Sequence, residues 1–482
     1  MSKSGKRIHF IAVGGAIMHN LALALHKKGY RVTGSDDEIY DPAKGRLAKA
    51  GILPGKMGWD DTNITSDLDA VILGMHAKKD NPELKKAQEL GIKVYSFPEY
   101  VFEQSKQKQR IVIAGSHGKT SITSIILHVL KHYNRNFDYL VGAQIEGFDL
   151  MVKLTDDAPI IILEGDEYLS SALEMKPKFL FYHPHITLIS GVAWDHFNVF
   201  PKFDDYVKAF DQLAAGMSKA GSLIYDETDD IANIIGNQPK EDVNKLPYKA
   251  HPYEVKNGKT WLKTDNGAIP IKIFGEHNMK NLQGAKLILE KLAITEDMFY
   301  EAIQSFSGAA KRLEKLGENK NTLIYRDFAH APSKVGATTA ATKELFPDRN
   351  LVACYELHTY SSLSKEFLPH YAEKLNAADE AVVFYSPHTV AMKKMPAISK
   401  EEIKKAFGKD ALQVFTTSEE LEAYLITQNW YKSNLLLMSS GTFGGTDFAK
   451  LSEAVLSLPV KKVTRVAKVK KKSWRGIFKK KG

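Results

Sequence analysis

The sequence predicts an α/β protein built from three parallel-sheet units, and three observations carry that expectation. Strand-like and helix-like apolar periods alternate in three successive blocks. A glycine loop ending in Lys-Thr, residues 115–120, stands between a strand-like run and a helix-like run. The length, 482 residues, suits three domains at ~150 residues each.

The first block opens with a strand over Ile8–Val13, a glycine turn, a helix over Leu21–Lys28 and a second strand over Tyr30–Asp36. An acid closing the second strand of such a Rossmann-like unit can accept from a ribose hydroxyl or a base, so Ser35 and Asp36 are candidates. The turn itself reads Ala12-Val13-Gly14-Gly15-Ala16-Ile17-Met18, with Ala and Ile where the dinucleotide pattern has its first and last glycines. A dinucleotide cofactor is therefore not expected. Gly14 and Gly15 either permit a tight turn alone or let a ligand approach the backbone.

The second block carries the strongest motif. A strand from Arg110 to Ala114 runs into Gly115-Ser116-His117-Gly118-Lys119-Thr120 and a helix from Ser121 to about His132. Glycines let backbone N–H groups converge on phosphate oxygens, the helix N-terminus adds positive potential, Lys119 reaches the β and γ phosphates, and Thr120 can ligate Mg²⁺. The spacing G-x-x-G-K-T is tighter than G-x-x-x-x-G-K-[ST]. A second strand runs into an acidic end over Ile160-Ile161-Ile162-Leu163-Glu164-Gly165-Asp166-Glu167-Tyr168, and Trp194-Asp195-His196 follows downstream. Asn278 and Asn281, at i and i+3 of a helix opened by His277, share one face and either address a nucleotide or cap the helix. The third block begins at Asp327-Phe328-Ala329-His330-Ala331-Pro332.

Charge narrows the partners. The net +9 is segregated: residues 460–482 hold eleven Lys or Arg and no acid, leaving 55 basic against 57 acidic residues elsewhere, a net of −2. The core is thus not a nucleic-acid binder by charge. The segment after Pro459 has too little apolar material to fold and is read as a disordered tail. It is either merely solvated, or rests on an anionic membrane surface through Lys and Arg around Trp474, Ile477 and Phe478, or contacts RNA. Residues after Met1 are polar, no apolar run approaches ~18 residues, and Cys354 is the single cysteine, so a cytoplasmic protein is expected.

Taken in order, the loop at 115–120, Glu164-Gly165-Asp166-Glu167, Asp195-His196, His277-Asn278-x-x-Asn281, Lys311-Arg312 and the Asp327 segment resemble the Mur ligase superfamily over nearly the whole chain before the tail. The resemblance implies three domains: a Rossmann-like UDP-sugar-binding domain over 1–108, a central P-loop ATPase domain over 109–312, and a Rossmann-like acceptor domain over 313–459. It also implies an ATP-dependent amide ligase that activates a carboxylate as an acyl phosphate. By that resemblance Thr120 and Glu164 hold one Mg²⁺, His196 a second, and Lys119, Glu164, His196 and Arg312 are catalytic. Gly115 to Thr120, Asn278, Asn281, Arg312 and Asp327 then bind ATP, and Gly14, Gly15, Ser35 and Asp36 the UDP-sugar. Arg312 is alternatively a domain-linker ion pair. His330 addresses the acceptor or nucleotide, or packs within the third domain. Lys208, on Asp205-Tyr206-Val207-Lys208, stands where several members carry a carbamylated lysine, or is an ordinary exposed one.

Within the superfamily, three features are similar to the murein peptide ligase branch. They are the 32-position spacing from Glu164 to His196 with Phe179-x-x-Tyr182-x-Pro184, the run Met438–Gly445, and Gly34-Ser35-Asp36 followed by Ile39-Tyr40-x-Pro42. That branch implies UDP-N-acetylmuramate as one substrate and the stem peptide L-Ala-γ-D-Glu-meso-diaminopimelate as acceptor, in peptidoglycan recycling or biosynthesis. The alternative acceptor is L-alanine. A nucleotide-binding regulatory or RNA-associated protein without ligation is the other class. His358 and Tyr360, in the loop after a third-block strand, are read as acceptor contacts or as an ordinary exposed loop. Ser440 replaces the branch's Asn.

Overall fold

The chain is described from a computed structural model covering residues 5–171, 173–194, 199–309 and 312–462. Asp195, His196, Lys311 and the basic tail from 463 onward lie outside the described residues. No helix among the described residues is long and apolar enough to cross a membrane.

Strands β1 (Arg7–Ile11), β2 (Arg31–Ser35), β3 (Ala70–Leu73) and β4 (Val94–Ser96) form a parallel sheet in the order β2-β1-β3-β4. The next sheet uses β5 (Gln109–Ala114), β6 (Asp138–Leu140), β7 (Val152–Lys153), β8 (Ile160–Glu164), β9 (Ile186–Ile189), β10 (Gly221–Asp226) and β11 (Val243–Tyr248). Its order is β11-β10-β9-β5-β8-β6-β7, parallel except for the β6·β7 edge pair. A small antiparallel sheet follows: β12 (Tyr253–Lys256), β13 (Lys259–Thr264) and β14 (Gly267–Ile271). The last sheet holds β15 (Glu314–Glu318), β16 (Thr322–Asp327), β17 (Asn350–Leu357), β18 (Glu380–Tyr385), β19 (Gln413–Phe415) and β20 (Ser433–Met438), in the order β15-β16-β20-β17-β18-β19. Only β15 runs against its neighbour there.

Alternation along β5 explains how the first two sheets join. Successive side chains of a strand face opposite ways. Ile111 and Ile113 pack with the helices Lys119–His132 and Glu276–Lys291. Val112 and Ala114 belong to the opposite face, whose cluster continues into the helix Ala16–Lys27 through Leu21 and Leu25. That one cluster spans both sheets, and Asn20 Oδ1 accepts the Met151 N–H at 2.9 Å across the seam. Each fully buried Leu or Ile contributes ~1.5–3 kcal/mol, so a core shared this way fixes the two units together.

The third sheet has its own two clusters, one on each face. It meets the middle unit more sparingly: Phe274 inserts beside Tyr325 with ring centroids 5.5 Å apart, and Tyr253 Oη donates to Glu344 at 2.8 Å. The cleft between these two units lies above the carboxyl ends of β5, β8 and β16.

Candidate active site

The loop after β5 is shaped by two glycines with positive φ, Gly115 at 130° and Gly118 at 78°. A side chain at Gly115 would strike the Ser190 backbone N at 2.9 Å, and one at Gly118 would collide with Asn281 Oδ1. Gly118 turns the chain directly into the helix, which therefore begins at Lys119, two residues before the expected Ser121. Lys119 and Thr120 thus belong to the first helical turn, where free N–H groups and the helix dipole favour an anion.

Lys119 Nζ donates to Gly115 O at 2.6 Å and to Glu167 Oε2 at 2.8 Å. Burial pulls its pKa down, but the carboxylates of Glu167, Asp166 and Glu164 outweigh it and leave the ammonium above its ordinary value. Thr120 Oγ1 donates to Glu164 Oε1 at 2.9 Å, and the Gly142 N–H donates to Oε2 at 2.9 Å. Burial raises the Glu164 carboxyl despite these donors. The Thr120 and Glu164 oxygens are hard donors placed side by side at the loop, a set that suits Mg²⁺, which takes one or two carboxylates and completes its shell with phosphate and water. His117 in the loop is pushed down to about 4, by burial first and then by the positive charges of Lys334 and Lys119, so its imidazole is neutral at pH 7.

A cavity of about 720 Å³ gathers the loop, Glu164, Asn278, Asn281, Arg312, Asp327 and His330 in one place. Arg312 lies over the Phe328 ring, 5.0 Å from its centroid. Asp327 accepts from Thr338 Oγ1 at 2.6 Å and from the Leu313 N–H at 3.1 Å. Asn278 Nδ2 donates to Phe274 O at 2.8 Å and Asn281 Nδ2 to Asn278 Oδ1 at 3.4 Å, so the pair shares a face as its spacing requires. His330 packs on Phe328 with centroids 5.3 Å apart. The helix Pro332–Leu345 closes the far wall with Ser333, Lys334 and Thr338, which sequence spacing did not single out.

Several expected residues fall elsewhere. Gly14 N–H meets Asp36 Oδ2 at 2.7 Å at the mouth of the first sheet, and Gly15 caps the following helix. Burial raises the Asp36 carboxyl to about 6. Ser35, by contrast, is buried beneath the sheet, its hydroxyl given to Glu83 beside His9, so its side chain faces the core and not a sugar. Lys208 takes the ordinary exposed reading: on the helix Phe203–Ala215 the period turns Tyr206, Ala209, Phe210 and Leu213 inward and leaves Lys208 at the surface. His358 and Tyr360 do not line the cavity. His358 Nδ1 is 3.6 Å from Glu356 Oε1, and Tyr360 is half exposed beneath Lys393 Nζ. His196 lies outside the described residues, and among those described no group of three or more His, Cys, Asp or Glu is arranged to hold a metal.

A P-loop at the carboxyl end of a central parallel strand, facing a third α/β unit across a cleft, defines a three-unit nucleotide-binding enzyme. The sequence matches the Mur ligase family, catalytic domain, over residues 7–109 and the Mur ligase middle domain over residues 113–289. The chain belongs to the Mur ligase family and is an ATP-dependent amide ligase. It is 33% identical over 390 residues to the UDP-N-acetylmuramate–L-alanine ligase of Lactobacillus delbrueckii subsp. bulgaricus, covering 78% of this chain and 83% of that one. To the enzyme of the same name from Carboxydothermus hydrogenoformans it is 28% identical, over 93% of this chain and 96% of that one. Among solved structures, the murein peptide ligase of Psychrobacter arcticus superposes with a TM-score of 0.62 at 20% identity, covering 95% of this chain and 100% of that one. The UDP-N-acetylmuramate-alanine ligase of Thermotoga maritima gives 0.65 at 20% identity, covering 93% and 98%. These two structural likenesses speak to the fold.

Proposed function

We propose that the chain joins the α-amino group of the stem peptide L-Ala-γ-D-Glu-meso-diaminopimelate to the carboxylate of UDP-N-acetylmuramate. ATP activates the carboxylate: one carboxylate oxygen attacks the γ-phosphorus, the bond to the β–γ bridging oxygen breaks, and ADP leaves. The amine then attacks the acyl carbon, the bond from that carbon to the phosphate oxygen breaks, and phosphate departs as the nitrogen loses a proton. Charge builds on phosphoryl oxygens in the first step, so catalysis is mostly positioning and neutralisation. Lys119 and Arg312 supply fixed positive charge at the cavity, the Asn278 and Asn281 amides and Asp327 orient the nucleotide, and the cleft excludes water that would hydrolyse the acyl phosphate. Thr120 and Glu164 would hold one Mg²⁺ and His196, by family likeness, a second; bound there, they would supply positive charge against the charge that builds on the phosphoryl oxygens. The UDP-sugar rests against the first sheet at Gly14, Gly15 and Asp36.

The observation that carries this reading is the convergence of Lys119, the Thr120–Glu164 pair, Arg312 and Asp327 on one cavity between the middle and third units. The peptide acceptor is supported by the Phe179-x-x-Tyr182-x-Pro184 segment, whose Tyr182 lines that cavity, and by the Met438–Gly445 run. A second reading, free L-alanine as acceptor, is favoured by the names of the relatives about 30% identical to this chain. Both acceptors present the same nucleophile, an L-alanine α-amine; they differ in whether its carboxyl is free or in a peptide bond. Phosphate release with UDP-N-acetylmuramate, Mg²⁺ and ATP, measured with tripeptide and L-alanine in competition, decides between them. The proposal expects the higher kcat/KM for tripeptide; preference for L-alanine establishes the second reading.

A further inference from the structure

Two acids leave the end of β8 three residues apart, and they part company there. Glu164 serves Thr120 and Gly142, whereas the Glu167 side chain, fully buried, accepts from Lys119 Nζ at 2.8 Å and from Tyr206 Oη at 3.1 Å. Tyr206 is held by edge-on contacts with Phe200 and Phe210, ring centroids 5.2 and 5.3 Å away, so its hydroxyl has one place to be. Ser116 Oγ lies 2.9 Å from that hydroxyl and accepts the Ala193 N–H at 2.8 Å. Since the phenol gives its proton to Glu167, Ser116 gives its own to the phenol oxygen. One directional chain of hydrogen bonds thus runs from Ala193 through Ser116 and Tyr206 to Glu167, with Lys119 at its end. It ties the phosphate loop to the strand end, to the helix Phe203–Ala215, and to the segment that leads into His196.

We infer that Glu167 is a positioning residue that latches Lys119, with Tyr206 setting the strength of the latch. The inference rests on the ATP-binding reading of the loop. A triphosphate entering the cradle asks for the same ammonium that Glu167 holds, so the latch and the phosphate compete. Glu167 nonetheless keeps the side chain aimed along the cradle instead of leaving its flexible stem free. The phenol proton eases the carboxylate's charge and thereby loosens the grip on Lys119.

Substitution at the two positions should move nucleotide affinity in opposite directions, which loss of packing would not do. The probe is β,γ-imido-ATP with Mg²⁺, titrated calorimetrically into the full chain, with kcat for acceptor-dependent phosphate release measured alongside. Glu167→Gln, which keeps the shape and removes the competing charge, should bind the analogue about threefold tighter or more, while kcat falls about tenfold or more as the lysine loses its register. Tyr206→Phe leaves the carboxylate less shared and should weaken binding by about two- to fivefold. Unchanged or weaker binding by Glu167→Gln overturns the inference; should that variant not fold, unchanged or tighter binding by Tyr206→Phe does so. Analogue affinity needs neither sugar nor acceptor. A wild-type chain without ligase activity therefore defeats the proposed function without deciding the latch.

Discussion

The molecule builds a strand, a glycine turn and a helix twice, at residues 7–27 and 109–132, and fills the two turns differently. In the first, the chain's own Asp36 reaches back to the Gly14 N–H. In the second, Glu164 at the end of the neighbouring strand and Glu167 just beyond it meet the side chains of Thr120 and Lys119, and the loop opens onto the cavity. A glycine turn at a strand end is therefore only half of an anion site. Where the adjacent acid lands decides whether it takes a backbone N–H of the turn, as Asp36 does, or meets side chains and leaves the turn open to the cavity, as Glu164 and Glu167 do.

Breaking the second turn should have the largest effect. Lys119→Ala is expected to lower kcat/KM by ~100-fold or more with the fold retained, because the lost charge acts in the transition state; near wild-type turnover would remove the loop from catalysis. His196→Ala should slow acyl phosphate formation by ~10-fold or more, with raised Mg²⁺ restoring little, as rapid-quench detection of the first turnover can determine.

The first turn is sharpened by pH. Burial favours the neutral form of Asp36, so the stability it contributes is full below the ordinary carboxylate range and is lost as pH rises through about 6. Asp36→Asn, always neutral, should therefore gain on the wild type in thermal melts between pH 4 and pH 7, and melting curves that stay parallel over that range contradict the assignment. Smallest of all is Lys208→Ala: the side chain is exposed, and ligase activity should stay within about twofold of wild type.

Much of this was legible in the residues, for physical reasons that also mark the limits. The strand at Ile160–Glu164 was legible because an unbroken apolar run ending in an acid reads plainly as a buried parallel strand, although it stops at Glu164, before the acidic run to Tyr168 is complete. The antiparallel sheet β12–β14 was missed, although Asn257-Gly258 and Asn266-Gly267 are hairpin signals; Asn257, Gly258 and Gly267 all take positive φ. In the site, Lys119, Thr120 and Glu164 could be read from motif order, but Glu167, Tyr206 and Lys334 could not. After β8 the chain leaves regular structure, so spacing no longer says which acid faces the lysine, and Lys334 reaches the cavity from the helix Pro332–Leu345 of the third unit. Ser35 misled because strand alternation, not proximity to Asp36, decides which face its hydroxyl takes.

The central claim is that the cradle at residues 115–120 transfers the γ-phosphoryl group to a carboxylate. It is tested most directly by giving the enzyme UDP-N-acetylmuramate labelled with ¹⁸O in its carboxylate, together with ATP, Mg²⁺ and the acceptor, and weighing the released phosphate. Acyl phosphate formation requires one carboxylate oxygen to leave with each phosphate, so the account predicts a single ¹⁸O in every phosphate released. Phosphate without label during productive ligation would contradict it.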